Sequence, residues 1–288
     1  MNVEVHLESV YIPTPQGIFQ LPHEDKYFTL NLGKFIFEII DSSAMRKLLT
    51  KSLLQNTVHA KTQLRPKIGL IGVIEDRNSS FLTGPSRAPD LIRKHFLEAA
   101  VNSWSELGID VHNSIIDFGN VVPIKRHHAD IYKAINPSLE EMQQAQNLTP
   151  LTLGGDHSIT FSMCKAVRER VGKPLVIVHF DAHPDIYENF EDNPDSHASP
   201  FARILETPDL CQQLISIGIR TLSGEQATQI QKYGVKMIEA KDFPSKGSDI
   251  QDILKNYIKS ADTPVYISFD IDVLEPVRVR MALFLLFI

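Results

Sequence analysis

Three potential metal ligands lie at a spacing of two residues in the stretch Leu175–Asp185, which opens with an apolar run. The ligands are Asp181, His183 and Asp185, at the end of the predicted strand. A continuous apolar, largely β-branched run predicts a strand that is buried on both faces. Side chains two positions apart share one face of a strand, so we expect all three to point the same way at its carboxyl end, where open α/β sheets bind ligands. The alternative interpretation is a polar strand end that turns into a solvated loop.

Two further segments place side chains of the same kind after a strand. His157 lies in Leu153-Gly-Gly-Asp-His-Ser158, where the glycines predict a tight turn from a strand into a helix. An ordinary turn with an incidental histidine is the alternative, and the segment lacks the glycine pattern and the lysine of a phosphate-binding loop.

Asp270 and Asp272 are predicted to share a face at the end of a strand over residues 265–271. Two carboxylates so close repel each other unless they are protonated or bind a cation.

These segments together predict a metal centre with four carboxylates and two imidazoles. The six candidate ligands are His157, Asp181, His183, Asp185, Asp270 and Asp272. Two divalent cations would balance the four negative charges, whereas one would leave carboxylate charge uncompensated in a partly dry site. Oxygen-rich ligands without a thiolate favour Mn²⁺, with Zn²⁺, Co²⁺ and Fe²⁺ as alternatives. Two ions roughly 3.5–4 Å apart can share a water and lower its pKa toward neutrality, which predicts a hydrolase.

Two other histidines have different expected roles. His179 precedes Asp181 by two residues, and we interpret it as a buried histidine behind the ligands or in the core. His197 lies in a polar loop that ends Ser196-His-Ala-Ser199. An imidazole titrates near neutrality, so His197 is a candidate proton shuttle, and an ordinary surface-loop histidine is the alternative.

Strand and helix patterns alternate from residue 67 onward. This alternation predicts an α/β fold with a parallel sheet and helices on both faces. We expect one domain over residues 66–288, preceded by an N-terminal extension over residues 1–65 with an amphipathic helix at residues 34–54. A strand is predicted over residues 109–118, ending at Gly119, and a helix over residues 126–146.

Composition excludes several functional classes. The chain has 288 residues, 43% of them hydrophobic, and a formal net charge of −6, so we expect no nucleic-acid partner. No apolar run approaches the roughly 20 residues that span a bilayer, and the N-terminus lacks the order of a signal peptide, so no membrane partner is expected. The two isolated cysteines, Cys164 and Cys211, argue against a disulfide scaffold.

Four motifs in order give the chain a resemblance to a known family. They read Gly154-Gly-Asp-His-Ser158, Asp181-Ala-His-Pro-Asp185, Ser196-His-Ala-Ser199 and Ser268-Phe-Asp-Ile-Asp272. From about residue 67 to residue 276 the chain resembles the ureohydrolases, that is, arginases, agmatinases and their relatives, and it is most similar to plant-type arginases. The early loop with Asn78-Ser-Ser-Phe-Leu82 is similar as well.

The resemblance implies an arginase-like three-layer fold with two Mn²⁺ ions held by the six candidate ligands. It implies hydrolysis of a small guanidino substrate, either arginine to ornithine and urea or agmatine to putrescine and urea. By position, His197 would be the proton shuttle or the histidine that orients the substrate, and Asn193 and Ser196 would contact the far end of the substrate. We also expect a homo-oligomer and a cytoplasmic location, with the mitochondrion as the alternative.

The last residues depart from the family pattern. Glu275 replaces the usual aspartate, and Val277-Arg-Val-Arg-Met-Ala-Leu-Phe-Leu-Leu-Phe-Ile288 matches none of the expected segment, including the acid that pairs with the guanidinium. We therefore expect a truncated or divergent C-terminus and metal binding with impaired turnover. A non-catalytic metal-binding subunit is a second hypothesis. A deacetylase-like amide hydrolase is a third, weakened because that class typically uses one Zn²⁺.

Overall fold

The computed structural model describes residues 2–6, 11–14, 17–20, 27–31, 68–97, 114–146, 148–242 and 247–274. Near the N-terminus, β1 (Asn2–His6) pairs antiparallel with β4 (Tyr27–Asn31), and β2 (Tyr11–Thr14) pairs antiparallel with β3 (Gly17–Gln20). The predicted helix over residues 34–54, the first part of the predicted strand over residues 109–118, and residues 275–288 lie outside the described residues.

The remaining strands form two parallel sheets, so the α/β class predicted from the alternation is confirmed. The first sheet has the order β6-β5-β7 and the second has the order β10-β9-β8-β11. The strands are β5 (Ile68–Val73), β6 (Ile115–Val121), β7 (Thr149–Leu153), β8 (Leu175–Phe180), β9 (Cys211–Ile219), β10 (Lys236–Glu239) and β11 (Val265–Phe269). The prediction of a single sheet is not met within the described residues, because β7 and β11 are not hydrogen-bonded to each other.

Helices connect the strands. They are α1 (Ala88–Leu97), α2 (His128–Gln146), α3 (Ile159–Val171), α4 (Pro200–Glu206), α5 (Gly224–Tyr233) and α6 (Gly247–Tyr257), with 3₁₀ turns at Pro85–Arg87, Ala240–Asp242 and Ile271–Val273. Helix α5 begins with a capping box between Ser223 and Gln226 and ends at the left-handed Gly234. None of the helices in the described part of the chain is long and apolar enough to cross a bilayer.

Strand β8 forms the centre of the second sheet, and all six of its residues are buried. On one face, Leu175 and Ile177 pack in a cluster with Phe201 of α4. On the other face, Val176, Val178 and Phe180 pack in a cluster with Ile250 and Leu254 of α6. Helices therefore cover both faces, which is the environment that a continuous apolar run predicts.

The predicted ends of three strands need correction. Strand β6 continues through Gly119 to Val121, because this glycine adopts a φ of 74° at an irregularity in the pairing of β5 with β6. Strands β8 and β11 end at Phe180 and Phe269, before the predicted ligands. The expectation that these ligands share a strand face was therefore wrong, and the turns that follow the strands bring them together.

Candidate metal centre

A turn with no room for a side chain places His157. The amides of Gly155 and Asp156 donate to the carbonyl oxygens of Val73 (3.2 Å) and Glu75 (2.8 Å) at the end of β5. A Cβ atom on Gly155 would lie 1.6 Å from the carbonyl oxygen of Glu75. Only glycine fits this close approach of two backbones, and His157 is thereby held between β7 and α3.

The two ring nitrogens of His157 have different surroundings. Nδ1 lies 2.9 Å from Oδ2 of Asp185, 3.2 Å from Oδ2 of Asp181 and 3.8 Å from Oδ2 of Asp270. Nε2 lies 2.8 Å from the hydroxyl oxygen of Ser268 in β11. One nitrogen therefore faces three carboxylates, while the other is held from behind by a hydroxyl.

His183 and Asp272 form a second group around the other oxygen of Asp181. Nδ1 of His183 lies 2.9 Å from Oδ2 of Asp272 and 3.5 Å from Oδ1 of Asp181. Backbone amides orient the carboxylates, since Asp181 Oδ1 accepts from the amide of His183 (2.7 Å) and Asp272 Oδ1 accepts from the amide of Ala182 (3.0 Å). The structure thus brings all six predicted ligands into one cluster.

The left-handed backbone of Asp185 contributes to this convergence. Its φ is 44°, which is uncommon for a residue with a side chain. Its carbonyl oxygen accepts from the amide of Phe201 (3.2 Å), and two residues later the amide of Tyr187 donates to the carbonyl of Ala198 (3.1 Å). Contacts with the start of α4 therefore hold the turn that directs Asp185 toward His157.

His179 lies directly behind Asp181. Its Nε2 is 2.9 Å from Asp181 Oδ2, its Nδ1 is 3.2 Å from the hydroxyl oxygen of Ser216 in β9, and the residue is fully buried. Burial lowers the pKa of His179, which favours the neutral imidazole. The neutral ring orients Asp181, and this placement agrees with the buried role expected for His179.

The carboxylates and imidazoles of the cluster shift one another's pKa values because they lie so close together. Burial alone would raise the pKa of Asp181, but contacts with three histidines lower it well below its usual range. Hydrogen bonds to Asp181 and Asp272 raise the pKa of His183 to about 11. Asp270 keeps 34% of its side chain exposed, yet the burial of its carboxyl group and repulsion from Asp181 and Asp272 raise its pKa to about 7. A bound cation would remove that repulsion.

Two groups of side chains could each hold a metal ion. One group of potential ligands, all within 4.8 Å of one another, comprises His157, His179 and Asp181, and the other comprises Asp181, His183 and Asp272. Asp181 belongs to both groups. Imidazole and carboxylate donors without thiolate suit Mn²⁺ and neighbouring divalent ions.

The other predicted site residues lie apart from the ligand cluster. His197 Nε2 is 2.8 Å from the hydroxyl oxygen of Ser80, and its backbone amide donates to the carbonyl of Asn78 (3.1 Å). Asn193 donates to the side-chain oxygen of Asn78 (3.2 Å). Asn193 and Ser196 line a cleft, and Ser80, the partner of His197, lines it too.

The loop that begins at Asn78 connects this cleft to the cluster. The amide of Asn78 and the hydroxyl of Ser79 donate to Asp156 Oδ2 (3.1 and 3.2 Å), next to His157. Asp156 is buried and also accepts from the amide of Ser158 (3.0 Å). Sequence reasoning assigned no site role to Asp156, Ser80 or Ser268, although all three lie within the quoted motifs.

Replacing Ser268 by alanine should weaken metal binding without unfolding the chain. The hydroxyl that contacts Nε2 of His157 would be lost, and such supporting contacts typically contribute about 10–100-fold in metal affinity. Mn²⁺ titration by isothermal calorimetry would measure the change. Ser260→Ala, in the exposed turn before β11, should retain wild-type affinity, and equal affinities in all three proteins would contradict the role of Ser268.

A second histidine–carboxylate cluster stands beside the cleft. Asp195 contacts Nδ1 of His127 (2.7 Å) and Nδ1 of His128 (2.9 Å). The hydrogen bond to His128 makes the largest contribution, and together the two contacts lower the pKa of Asp195 well below its usual range. The folded state therefore favours the ionised carboxylate, and the resulting stabilisation is present above the unfolded pKa of about 4 and lost as pH falls below it.

Asp195→Asn should therefore lower the melting temperature at pH 7 by roughly 2–4 °C, the shift that about 1 kcal/mol produces. The difference in melting temperature between this variant and wild type should persist at pH 5 and become smaller below about pH 4. Thermal unfolding at pH 7, 5 and 3 would measure it. Asp192→Asn, an exposed substitution in the same loop, should change the melting temperature little. A difference between Asp195→Asn and wild type that grows in acid would contradict the stabilising role of the Asp195 carboxylate.

Comparison with known proteins agrees with the motifs. The Arginase family profile matches residues 66–279. "Arginase 2, chloroplastic/mitochondrial" from Arabidopsis thaliana is 38% identical over 214 residues, which are 72% of this chain and 61% of that protein. This chain thus spans less than two thirds of that relative's length.

Two solved structures share the fold. An arginase from Medicago truncatula superposes with a TM-score of 0.64 and 33% identity, covering 85% of this chain and 78% of that one. A structure described as a hypothetical agmatinase from Burkholderia thailandensis gives a TM-score of 0.61 and 25% identity, covering 73% and 65%.

Proposed function

Because the chain belongs to the Arginase family, a family of hydrolases, we propose that it hydrolyses arginine to ornithine and urea with two Mn²⁺ ions. The observation that supports this most directly is the position of Asp181, whose two oxygens face different histidines. His157, Asp185 and Asp270 would hold one ion, His183 and Asp272 the other, and Asp181 both. When bound, such a pair of ions supplies a water that ionises near neutral pH.

His197 is proposed to transfer the proton between the reacting centre and the leaving amine. Its contact with Ser80 holds the ring at the edge of the cleft, where an imidazole can accept a proton at one nitrogen and pass it on. His197→Asn should lower kcat by roughly 10²-fold or more, the usual contribution of a positioned general acid or base, while Mn²⁺ content stays unchanged. Wild-type kcat in this variant would eliminate the proposed role.

The cleft is proposed to hold the far end of the substrate. Arg77 lines it but is neutralised by an ion pair with Glu75. Arg126 also lines it and pairs with no carboxylate within the described residues, so it is available for the carboxylate of an amino acid. Glu191 and Asp192 on the opposite loop suit an ammonium group. Arginine carries both groups at that end, whereas agmatine carries only the amine, and this difference favours arginine.

Urea formation from arginine and from agmatine, each assayed with the full chain after Mn²⁺ loading, tests the proposal. We expect kcat/KM for arginine to exceed that for agmatine by at least about tenfold, the effect of one charged contact of about 1.4 kcal/mol. The opposite preference would make the chain an agmatinase. Two Mn²⁺ per chain without urea from either substrate would instead support a non-catalytic metal-binding subunit.

Assembly and location belong to the same proposal. We propose a homo-oligomer, which light scattering on the purified chain would test. The name of the Arabidopsis relative includes chloroplastic/mitochondrial, which supports an organelle as the alternative to the cytoplasm. Imaging of the tagged chain in cells would distinguish the two.

A further inference from the structure

The residue that follows β9 contacts both of the turns that carry metal ligands after β8 and β11. Arg220 is the first residue after β9, and its guanidinium donates to the carbonyl oxygens of Asp272 and Val273 (2.8 Å to the latter). These carbonyls belong to the 3₁₀ turn Ile271–Val273 that follows β11. Because β8 lies between β9 and β11 in the sheet, the side chain of Arg220 crosses the end of the central strand to reach them.

The backbone of the same residue holds the turn after β8. The amides of Arg220 and Thr221 both donate to the carbonyl oxygen of Ala182 (2.8 and 3.2 Å). One residue before Ala182, the amide of Asp181 donates to the carbonyl oxygen of Ile217 in β9 (3.1 Å). Arg220 therefore joins the two ligand-bearing turns, the first through its main chain and the second through its side chain.

Gly218 allows the two turns to approach β9 closely. Its φ is 97°. A Cβ atom at this position would lie 2.5 Å from Cγ2 of Val273 and 3.2 Å from the carbonyl oxygen of Asp181. Glycine is suited to this conformation and to such close contacts because it has no side chain. The end of β9 is thus shaped to receive the turn after β8 and the turn after β11 at once.

The ligands in these two turns have less support from packing than the others. The side chains of His183 and Asp272 are 49% and 29% exposed, whereas those of His157 and Asp181 are 8% and 1% exposed. A buried ligand is held by its packed neighbours, but an exposed one depends on where the backbone places it. The contact of 2.9 Å between His183 and Asp272 therefore relies on the relative position of the two turns.

We propose that Arg220 is a positioning residue for the metal position that contains His183 and Asp272. The inference rests on the proposed function, since it concerns one of the two ions assigned there. Two guanidinium nitrogens donate to successive carbonyls, an arrangement that the rigid fork of arginine provides and the single ammonium of lysine does not. Both acceptors are neutral, so Arg220 acts by fixing the turn and not by pairing with the charge of a ligand.

Arg220→Met tests the proposal by removing both donors while keeping most of the side-chain length. The hydrogen bonds lie at an exposed position where water can replace the donors, so we expect the variant to fold. Mn²⁺ titration by isothermal calorimetry should show one of the two binding steps weakened by about 10–100-fold, the usual contribution of contacts that orient a ligand, and the other unchanged. Electron paramagnetic resonance should show an isolated Mn²⁺ ion at a Mn²⁺ concentration that gives a coupled pair in wild type.

Arg168→Met is the matched control. Arg168 also donates to a backbone carbonyl at an exposed position, that of Asp209 (3.0 Å), but this carbonyl lies at the opposite end of β9 from Arg220. Both Mn²⁺ affinities of Arg168→Met should equal those of wild type.

The His183→Ala background shows which metal position Arg220 supports. This substitution removes a ligand from one position only, so the ion held by His157 and its neighbours remains. Adding Arg220→Met to it should leave the affinity for the remaining ion unchanged. A further loss of affinity for that ion would overturn the proposal, because Arg220 would then support the other position or the fold in general.

Arg220→Lys keeps the proposal testable if the methionine variant does not fold. It should weaken the same binding step by at least about threefold, the effect of one weakened hydrogen bond, and leave the other step unchanged. Wild-type affinity for both ions in Arg220→Met, or in Arg220→Lys in its place, would overturn the inference and leave the proposed function intact. Fewer than two Mn²⁺ on the wild-type chain would overturn both.

Discussion

Replacing Asp181 by asparagine should abolish most of the proposed hydrolase activity, lowering kcat/KM by at least about 10³-fold. Asparagine keeps the shape of the side chain but not the charge, and Asp181 is the carboxylate shared by both groups of potential ligands. Metal-ion catalysis contributes several kcal/mol of transition-state stabilisation, and each 1.4 kcal/mol is a factor of about ten. Urea assays and metal analysis of the purified variant would measure activity and Mn²⁺ content together.

The matched control is Asp209→Asn. Asp209 is exposed and has a φ of 57°, a conformation that asparagine also tolerates. Its activity and Mn²⁺ content should equal those of wild type. Circular dichroism would verify that Asp181→Asn remains folded, since its three histidine neighbours lose a charged partner. A folded Asp181→Asn protein with wild-type turnover would remove the basis of the proposed metal chemistry.

Adding Mn²⁺ to the chelator-treated protein should raise its melting temperature by roughly 5–10 °C. A ligand at 100 times its dissociation constant stabilises the native state by about 2.7 kcal/mol, and 1 kcal/mol shifts the melting point by about 2–4 °C in a chain of comparable size. The physical reason is the repulsion among Asp181, Asp270 and Asp272, which a cation relieves. Differential scanning calorimetry at fixed pH would record the shift.

Asp181→Asn should show little of this shift, whereas Asp195→Asn should retain it, because the Asp195 cluster is separate from the ligands. Chelator should abolish urea formation and Mn²⁺ should restore it. An unchanged melting temperature in wild type over a wide range of Mn²⁺ concentrations would contradict a metal centre at these residues.

Sequence patterns predicted the elements that carry the ligands. The apolar runs that begin at Ile68 and Leu175 lie in β5 and β8, because burial on both faces favours a continuous apolar composition. Since parallel strands present their carboxyl ends at one edge, the order of strands and polar turns was sufficient to collect six ligands. Helix ends were less accurate, and α2 begins at His128, two residues after the predicted start at residue 126.

The local geometry could not be predicted in the same way. The left-handed turn at Asp185 depends on a contact with Phe201 of α4, and the contact between Ser80 and His197 joins residues 117 positions apart. Strand alternation placed His179 and Asp181 on one face but could not show that the His179 ring contacts the Asp181 carboxylate itself. The contact of the Ser268 hydroxyl with His157 could not be predicted either, because it depends on how β11 lies relative to the start of α3.

The backbone contact at Gly155 has a consequence for how this protein can change through evolution. The distance between the end of β5 and His157 is set by main-chain atoms, with no intervening side chain that could shrink or swell to compensate. Insertions or deletions between Leu153 and His157 would displace the imidazole directly. At the exposed Gly119, by contrast, no atom lies within 4 Å of the position that a Cβ atom would take, so the restriction on a substitution there comes from its φ of 74° and not from packing. The length of the turn before His157 is therefore under stricter constraint than the identity of most residues around it.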